Sequence, residues 1–421
     1  MRAGKIVLQA LLHIALAIIT GIILLSLAYN IPTGKIEDHV KQSALDTIQL
    51  EGLYPELTHT ATSYLDNWTD SIMLAEAAHP NGKAAVFDAM QVPRFVANEF
   101  PDQSLVLWAK TGEYVYEDTY PQYWHGYLVL LKPLFIVMEF SQIRILNGIC
   151  QTVLSFTVAW LLWKKGFKQY ILPWLISVCM LMPLAMAKCL QFSSCYYIFT
   201  ITSISLLCFQ NVSKRHLVFL WAGVATAYFD FLTYPISTFG IPAVFYLISS
   251  PGQRSEKQLK TLARCFLAWL AGYGLMWSGK LLAGSLLTGV NYIQEAEGHV
   301  GHWFNGERWF SLGRVYYLNV RDFVYTPVSF LAFGFIAVLV IHLICKKKKG
   351  FMWNLPSMIP YLILTVMPFL WYLCLLNPSG THHFFTNKAC VVTAFSGMSM
   401  LVTLLKSNNG SDHEQEDATI Q

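Results

Sequence analysis

The stretch "IVLQALLHIALAIITGIILLSLAY", Ile6 to Tyr29, holds no Asp, Glu, Lys or Arg, and only Arg2 and Lys5 precede it as charges. A helix of that length crosses the hydrocarbon core of a bilayer. The run is too long for the core of a signal peptide, and no A-x-A-like cleavage site follows, since the next residues are "NIPTGK". It reads as a retained first span. The rest of the chain agrees with that reading. Of 421 residues, 55% are hydrophobic and 13% charged, and the apolar residues come in long runs, as membrane helices require.

Working outward, further apolar runs fall near 127–163, 171–187, 190–209, 217–232, 235–250, 262–282, 328–345, 357–376 and 388–405. The basic residues cluster between them: Lys164, Lys165 and Lys168; Lys214 and Arg215; Arg254, Lys257, Lys260 and Arg264; Lys346 to Lys349. Crossing at each run puts every cluster on the side of the N-terminus, as the positive-inside rule asks. The expectation is an all-α transmembrane bundle of about ten spans with both termini cytoplasmic. Its parts are a first span (1–29), an external loop (30–126), an interfacial helix and spans two to seven (127–282), a second external loop (283–327), spans eight to ten (328–405) and a disordered tail (406–421). The run at 127–163 is too long for one span, so "YLVLLKPLFIVMEF" is expected to lie along the interface before the second span starts near Arg144. Lysines separated by spans do not form a nucleic-acid groove. The nine cysteines sit in or beside apolar runs without zinc-type or disulfide-type spacing.

The long loop carries 14 of the 25 acidic residues. It is more than a linker, because "IEDHVKQSALDTIQL" and "AVFDAMQVPRFVANEF" have helical periodicity and need something to pack on. Within it lies "LDNWTD", in which Asp66 and Asp70 share a helix face one turn apart. Such a pair needs either solvent or a task. Asn67 in "NWT" also matches an N-glycosylation sequon, a three-residue pattern of low specificity.

Polar residues cluster at the span ends on the same side. They are His125 and Lys132 in "YPQYWHGYLVLLKPLF", Arg144 and Asn147 in "SQIRILNG", Lys188 and Gln191 in "AKCLQFSS", and Asp230 and Tyr234 in "YFDFLTYPIS". Further along come Arg314, Arg321 and Asp322, then His382, His383, Asn387 and Lys388. Outward-facing cations break the positive-inside pattern and ask for an anionic partner. Milder readings compete: the Tyr and Trp residues around Trp124 suit an aromatic belt, Lys132 can snorkel, and adjacent histidines point apart instead of sharing a metal. A carboxylate pair above a cationic cavity suits transfer from a lipid-linked phosphate sugar, with the cations on the phosphate and a carboxylate taking the acceptor proton.

These segments resemble the GT-C superfamily of integral-membrane glycosyltransferases. The likeness lies in a first span, a long loop bearing "LDNWTD", an amphipathic "YWHGYLVLLKPLF" leading into "SQIRILN", and the "FDFLTYP" and "THHFFT" segments, in the manner of bacterial members associated with surface polysaccharides. The resemblance implies inverting transfer from a polyprenyl-phosphate sugar to a glycan or lipid-linked acceptor at the outer face of a bacterial plasma membrane, without a metal cofactor. Asp70 or Asp66 would be the base, with Asp38, nearer the first span, as the fallback. Arg144, Lys188, Arg321, His382, His383 and Lys388 would hold the phosphate, and His125, Lys132, Asn147, Asp230 and Tyr234 would line the cavity. A secondary transporter or flippase-type protein for a polyanionic or sugar substrate, and a non-catalytic membrane partner, are the competing classes; a transporter would want half-symmetry, which the sequence does not display.

Overall fold

The computed structural model describes residues 2–80, 82, 84–209, 214–294, 296–298, 310–347 and 355–406. The tail expected after 406 lies outside them, as does part of the 283–327 segment. Among the described residues helix dominates. The strands named there are β1 (Pro93–Val96) and β2 (Tyr116–Thr119), an antiparallel pair with Pro93 opposite Thr119 and Val96 opposite Tyr116.

Helix α1 (Arg2–Tyr29) leads into a segment of short helices: α2 (Gly34–Ser43), prolonged by a π turn (Ala44–Ile48) and one more turn to Glu51, then α3 (Asn67–Ala78), α4 (Ala85–Gln91) and α5 (Pro101–Thr111). The 127–163 run breaks into α6 (Leu128–Phe135) and α7 (Phe140–Lys164). Glu139 and Gln142 form a capping box that starts α7 four residues before Arg144. There follow α8 (Ile171–Met180), α9 (Pro183–Lys188), α10 (Leu190–Cys208), α11 (Arg215–Phe229), α12 (Ser237–Ile248), α13 (Ser255–Thr288), α14 (Leu312–Val324), α15 (Pro327–Lys347), α16 (Ile359–Cys374), α17 (Leu376–Thr381), α18 (His383–Thr386) and α19 (Val391–Lys406).

Among the described residues six helical stretches are long and apolar enough to cross a membrane: Val7–Tyr29, Phe140–Lys164, Leu190–Cys208, Pro327–Lys347, Pro356–Cys374 and His383–Lys406. The other four expected runs take different forms. The 171–187 run is split where Met182 turns left-handed (φ 58°) and Pro183 opens a new helix. The 217–232 and 235–250 runs yield helices of 15 and 12 residues, shorter than the roughly 20 a span needs. The 262–282 run is part of a 34-residue helix that carries Lys257, Lys260, Arg264 and Lys280. All twelve residues of α12 are buried by protein, which is why its sequence is apolar all round. On α1, by contrast, Leu8, Leu12, Leu16, Ile19, Ile23 and Leu27 are exposed, an apolar face that suits lipid and not water.

Among the described residues two large hydrophobic clusters hold the chain. One gathers α8, α10, α12, α16 and α19 around Trp174, Phe245 and Phe395. The other joins α1, α6 and the segment's own helices through Leu25, Ile36, Leu74, Trp108, Trp124 and Leu131, with Leu220 and Tyr228 of α11. The 30–126 segment is therefore built onto the bundle. It meets the C-terminal ends of α1, α11 and α13 and the N-terminal ends of α7 and α10, all at one end. The described basic clusters, from Lys164 at the end of α7 to Lys214 before α11 and Arg254 before α13, sit at the opposite end.

Helices α11 and α13 pack backbone to backbone. A Cβ on Gly223 would meet the Trp269 carbonyl oxygen at 2.1 Å, and one on Gly272 would meet that of Leu220 at 2.2 Å. Gly272→Leu must force the helices apart and is expected to cost about 1–3 kcal/mol or more. Gly274→Ala, where a Cβ meets nothing within 4 Å, is expected to be near neutral. Thermal unfolding of the two variants in detergent makes the comparison; equal midpoints would show that the contact carries no weight.

Candidate functional site

Asp66 ends an extended stretch and caps α3. Its carboxylate accepts from the Thr69 amide (3.1 Å) and hydroxyl (2.8 Å), satisfying donors that a helix start leaves open. One turn on, Asp70 is wholly buried. Its Oδ1 accepts from the amides of Leu190 (3.1 Å) and Gln191 (3.4 Å) at the start of α10, where the helix dipole favours a negative group. Burial pushes Asp66 up to about 6 against the Thr69 bonds that lower it. Burial pushes Asp70 up to about 7, with Arg144 opposing and Asp66 adding to the rise. Both acids bind protons more tightly folded than unfolded. Their contribution to stability is complete below 3.8 and is lost as pH rises through about 6 and about 7. The wild-type unfolding midpoint should therefore fall between pH 4 and 8, and Asp66→Asn with Asp70→Asn should flatten that slope; an unchanged slope would contradict the assignment.

Arg144, in the first turns of α7, joins this pair to a third acid. Its Nη1 donates to both oxygens of Glu51 (2.9 and 2.8 Å), and its Nη2 donates to Asn67 Oδ1 (2.9 Å) and lies 3.8 Å from Asp70 Oδ2. Lys188, at the end of α9, stands 3.5 Å from Glu51 Oε1 with its side chain 37% exposed. Asn67 Nδ2 donates to the Gly52 carbonyl (2.7 Å) and Glu51 Oε2 (3.3 Å). The sequon amide is thus buried and engaged, so the folded chain closes it to glycosylation. Arg144, Lys188 and Glu51 line a cavity of about 800 Å³ between the segment, α7 and α9. Its other wall is apolar, with Ile145, Ile149 and Val153 along α7 and Leu184 on α9. A second cavity of about 780 Å³ lies on another side of α7, against α6, α10 and α11, and is mostly apolar, with polar groups that include Asn147, Ser193, Ser194, Tyr197 and Thr202.

The remaining cations assemble elsewhere. Arg321 donates to Asp322 Oδ1 from Nε (2.7 Å) and Nη2 (2.6 Å), and His383 Nδ1 lies 2.5 Å from Oδ2. Lys388 is wholly buried, donates to the Thr62 carbonyl (3.1 Å) and lies over the Phe192 ring. Thr62 itself bonds the Asp322 carbonyl. This second cationic group therefore meets the 61–70 stretch at Thr62. His382 stacks on Phe385.

The residues expected to line a cavity take several places. His125 and Lys132 belong to a buried polar knot: His125 Nδ1 is 3.1 Å from Glu76 Oε2, Tyr127 donates to the same carboxylate, and Lys132 donates to the Ala77 carbonyl at the end of α3 (2.9 Å). Lys280 does the same for α4 through Ala89 and Met90 (2.8 and 2.9 Å), so two buried lysines cap the segment's helices. Asn147 ties α7 to α9 and α10 through the Ala187 carbonyl and Ser193 (both 2.8 Å), and it also lines the apolar cavity. Asp230 caps the turn at Thr233 (3.0 Å), and Tyr234 donates to the Phe192 carbonyl (2.5 Å). Asp38 is exposed on α2.

Sequence reasoning did not single out Glu51, Glu76 or Lys280. Glu76 carried a signal, an acid inside the apolar "IMLAEAA". Glu51 carried none beyond closing a periodic run before Gly52. Among the described residues no group of three His, Cys, Asp or Glu side chains stands close enough to hold a metal ion. Comparison with protein-family models, curated proteins and solved structures returns no match.

Proposed function

We propose that the chain is a membrane glycosyltransferase that moves a sugar from a polyprenyl-phosphate donor to a glycan or lipid-linked acceptor, with inversion. The observation that carries this reading is the cavity where Arg144 and Lys188 meet an apolar wall, with the Asp70 carboxylate directly behind the same guanidinium. An anion with a hydrocarbon tail fits such a place: the cations take the phosphate and Ile145, Ile149 and Val153 face the chain. Asp70, held near neutrality, is the general base. It reaches an acceptor hydroxyl when the Lys188–Cys189–Leu190 junction opens, since the Leu190 and Gln191 amides close it off in the free protein. The group around Asp322, with Arg321, His383 and Lys388, would contact the acceptor or the outer part of the donor.

In this reading the split α8–α9 pair and helices α11, α12 and α13 complete ten crossings, the short α12 being covered by protein instead of lipid and lengthened by the irregular segments at its ends. The 30–126 segment faces outward and the basic ends face the cytoplasm of a bacterial cell, supported by the segregation of lysines and arginines to the far end of the bundle. One observation favours a second assignment within the same reaction. Because Asp70 is wholly buried and Glu51 lines the cavity, Asp70 would position Arg144 while Glu51 takes the proton.

The test is release of labelled sugar from a panel of polyprenyl-phosphate sugars by the purified protein in nanodiscs. Turnover of one donor supports the enzyme. No turnover across the panel, with the protein folded, moves a transporter or a non-catalytic partner ahead.

A further inference from the structure

We infer that Glu51 is a resident counter-anion, occupying in the free protein the place that a ligand phosphate takes, so that binding requires its displacement. This rests on the anion-binding reading of the Arg144–Lys188 cavity, and not on the transfer reaction.

Three donors converge on the Glu51 carboxylate: Arg144 Nη1 on both oxygens, Lys188 Nζ on Oε1 and Asn67 Nδ2 on Oε2. They come from α7, the end of α9 and the start of α3, three elements distant in sequence that meet at this one carboxylate. A phosphate monoester such as the prenyl phosphate that the proposed transfer would release, with three terminal oxygens and a larger charge, satisfies the same donors more fully than a planar carboxylate; the sugar-bearing diester has two such oxygens and one charge. Arg144 is buried beside the ring of Phe140, and the Nε of its guanidinium has no partner. The site therefore retains donor capacity that Glu51 does not use.

Glu51 is also placed to leave. It is the last helical residue before Gly52, whose φ of 76° lets the chain turn away, and its side chain is 21% exposed on the cavity side. Asp70 is different, being fixed by backbone amides at the start of α10. Ile145, Ile149 and Val153 are each more than half exposed along one face of α7, a face that suits lipid, so a phosphate monoester whose hydrocarbon chain runs along it fits the cavity better than a free phosphate. When the phosphate enters, the Glu51 carboxylate swings into the cavity, and the cations keep one anion throughout. The buried Arg144 guanidinium is thereby not left without an anion.

The consequence is a handicap on affinity. If Glu51 holds the cations in about nine molecules of ten, removing its charge improves the apparent affinity roughly tenfold. The full-length protein in detergent, titrated with farnesyl phosphate, farnesol and inorganic phosphate by calorimetry, reads this directly. Glu51→Gln, which keeps shape and loses charge, is expected to bind farnesyl phosphate about tenfold tighter than wild type, and Lys188→Gln to bind it more weakly. Wild-type binding that Glu51→Gln leaves unchanged or weakens overturns the counter-anion role while leaving the anion site standing. Absence of farnesyl phosphate binding in both proteins, or binding of farnesol as tight as that of its phosphate, overturns the site and the inference together. A gain on inorganic phosphate as large as that on farnesyl phosphate keeps the displacement and overturns the lipid tail.

Discussion

In Asp70→Asn, kcat/KM for sugar transfer falls about 10²–10⁴-fold while the protein stays folded. The fold should survive because the asparagine oxygen can still accept from Leu190 and Gln191, the contacts that seat the side chain. Only the proton-accepting charge is lost. The pH profile carries the second half of this expectation. With burial holding Asp70 at about 7, the base is inactive in acid, and kcat/KM should rise through about pH 7 instead of near the ordinary carboxylate range. A rising limb near 4, together with a larger loss in Glu51→Gln than in Asp70→Asn, would transfer the role of base to Glu51. Full activity in Asp70→Asn would remove that side chain from the chemistry altogether.

Arg144→Met is expected to be the most destabilising single change at the site. The guanidinium stands between Glu51, Asn67 and Asp70, and its removal leaves carboxylates facing one another without a cation. Breaking a buried pair this way costs roughly 3–5 kcal/mol, visible as a lower unfolding midpoint. Arg144→Lys restores the charge but cannot present the planar fork to both Glu51 oxygens, so it should recover only part of the loss. Adding Glu51→Gln to Arg144→Met removes one stranded carboxylate and should raise the midpoint again. A midpoint for Arg144→Met equal to wild type would mean that the cluster contributes nothing to the fold.

The site was half legible. The shared helix face of Asp66 and Asp70 follows from their spacing, and the cationic residues are conspicuous because lysine and arginine are rare beside apolar runs. What each one touches was not legible. Arg144 finds Glu51 across 93 positions and Asp70 finds Leu190 across 120, and no local pattern encodes pairing at that range. Arg321, His383 and Lys388 read as members of one phosphate site with Arg144, and their direct partners are Asp322 and Thr62. Asp230 and Tyr234 read as cavity residues and serve a turn and a helix–helix contact.

The chain's own sequence determined that this is a helical membrane protein. The run from Ile6 to Tyr29 and its counterparts state a preference for lipid residue by residue, and transfer free energy is a local property. It also determined the break before α7, through Glu139 and Gln142, and the cap at Asp66, because capping involves neighbours within one turn. Tertiary structure alone decided that α12 is short and surrounded by protein, that Gly223 and Gly272 let two helices touch, and that Glu51 rather than Asp70 faces the cavity. Apolar character says that a side chain avoids water, but not whether lipid or protein replaces it. Acidic character says that a group carries charge, but not which cation will meet it. Those choices are made by packing among elements far apart in the chain.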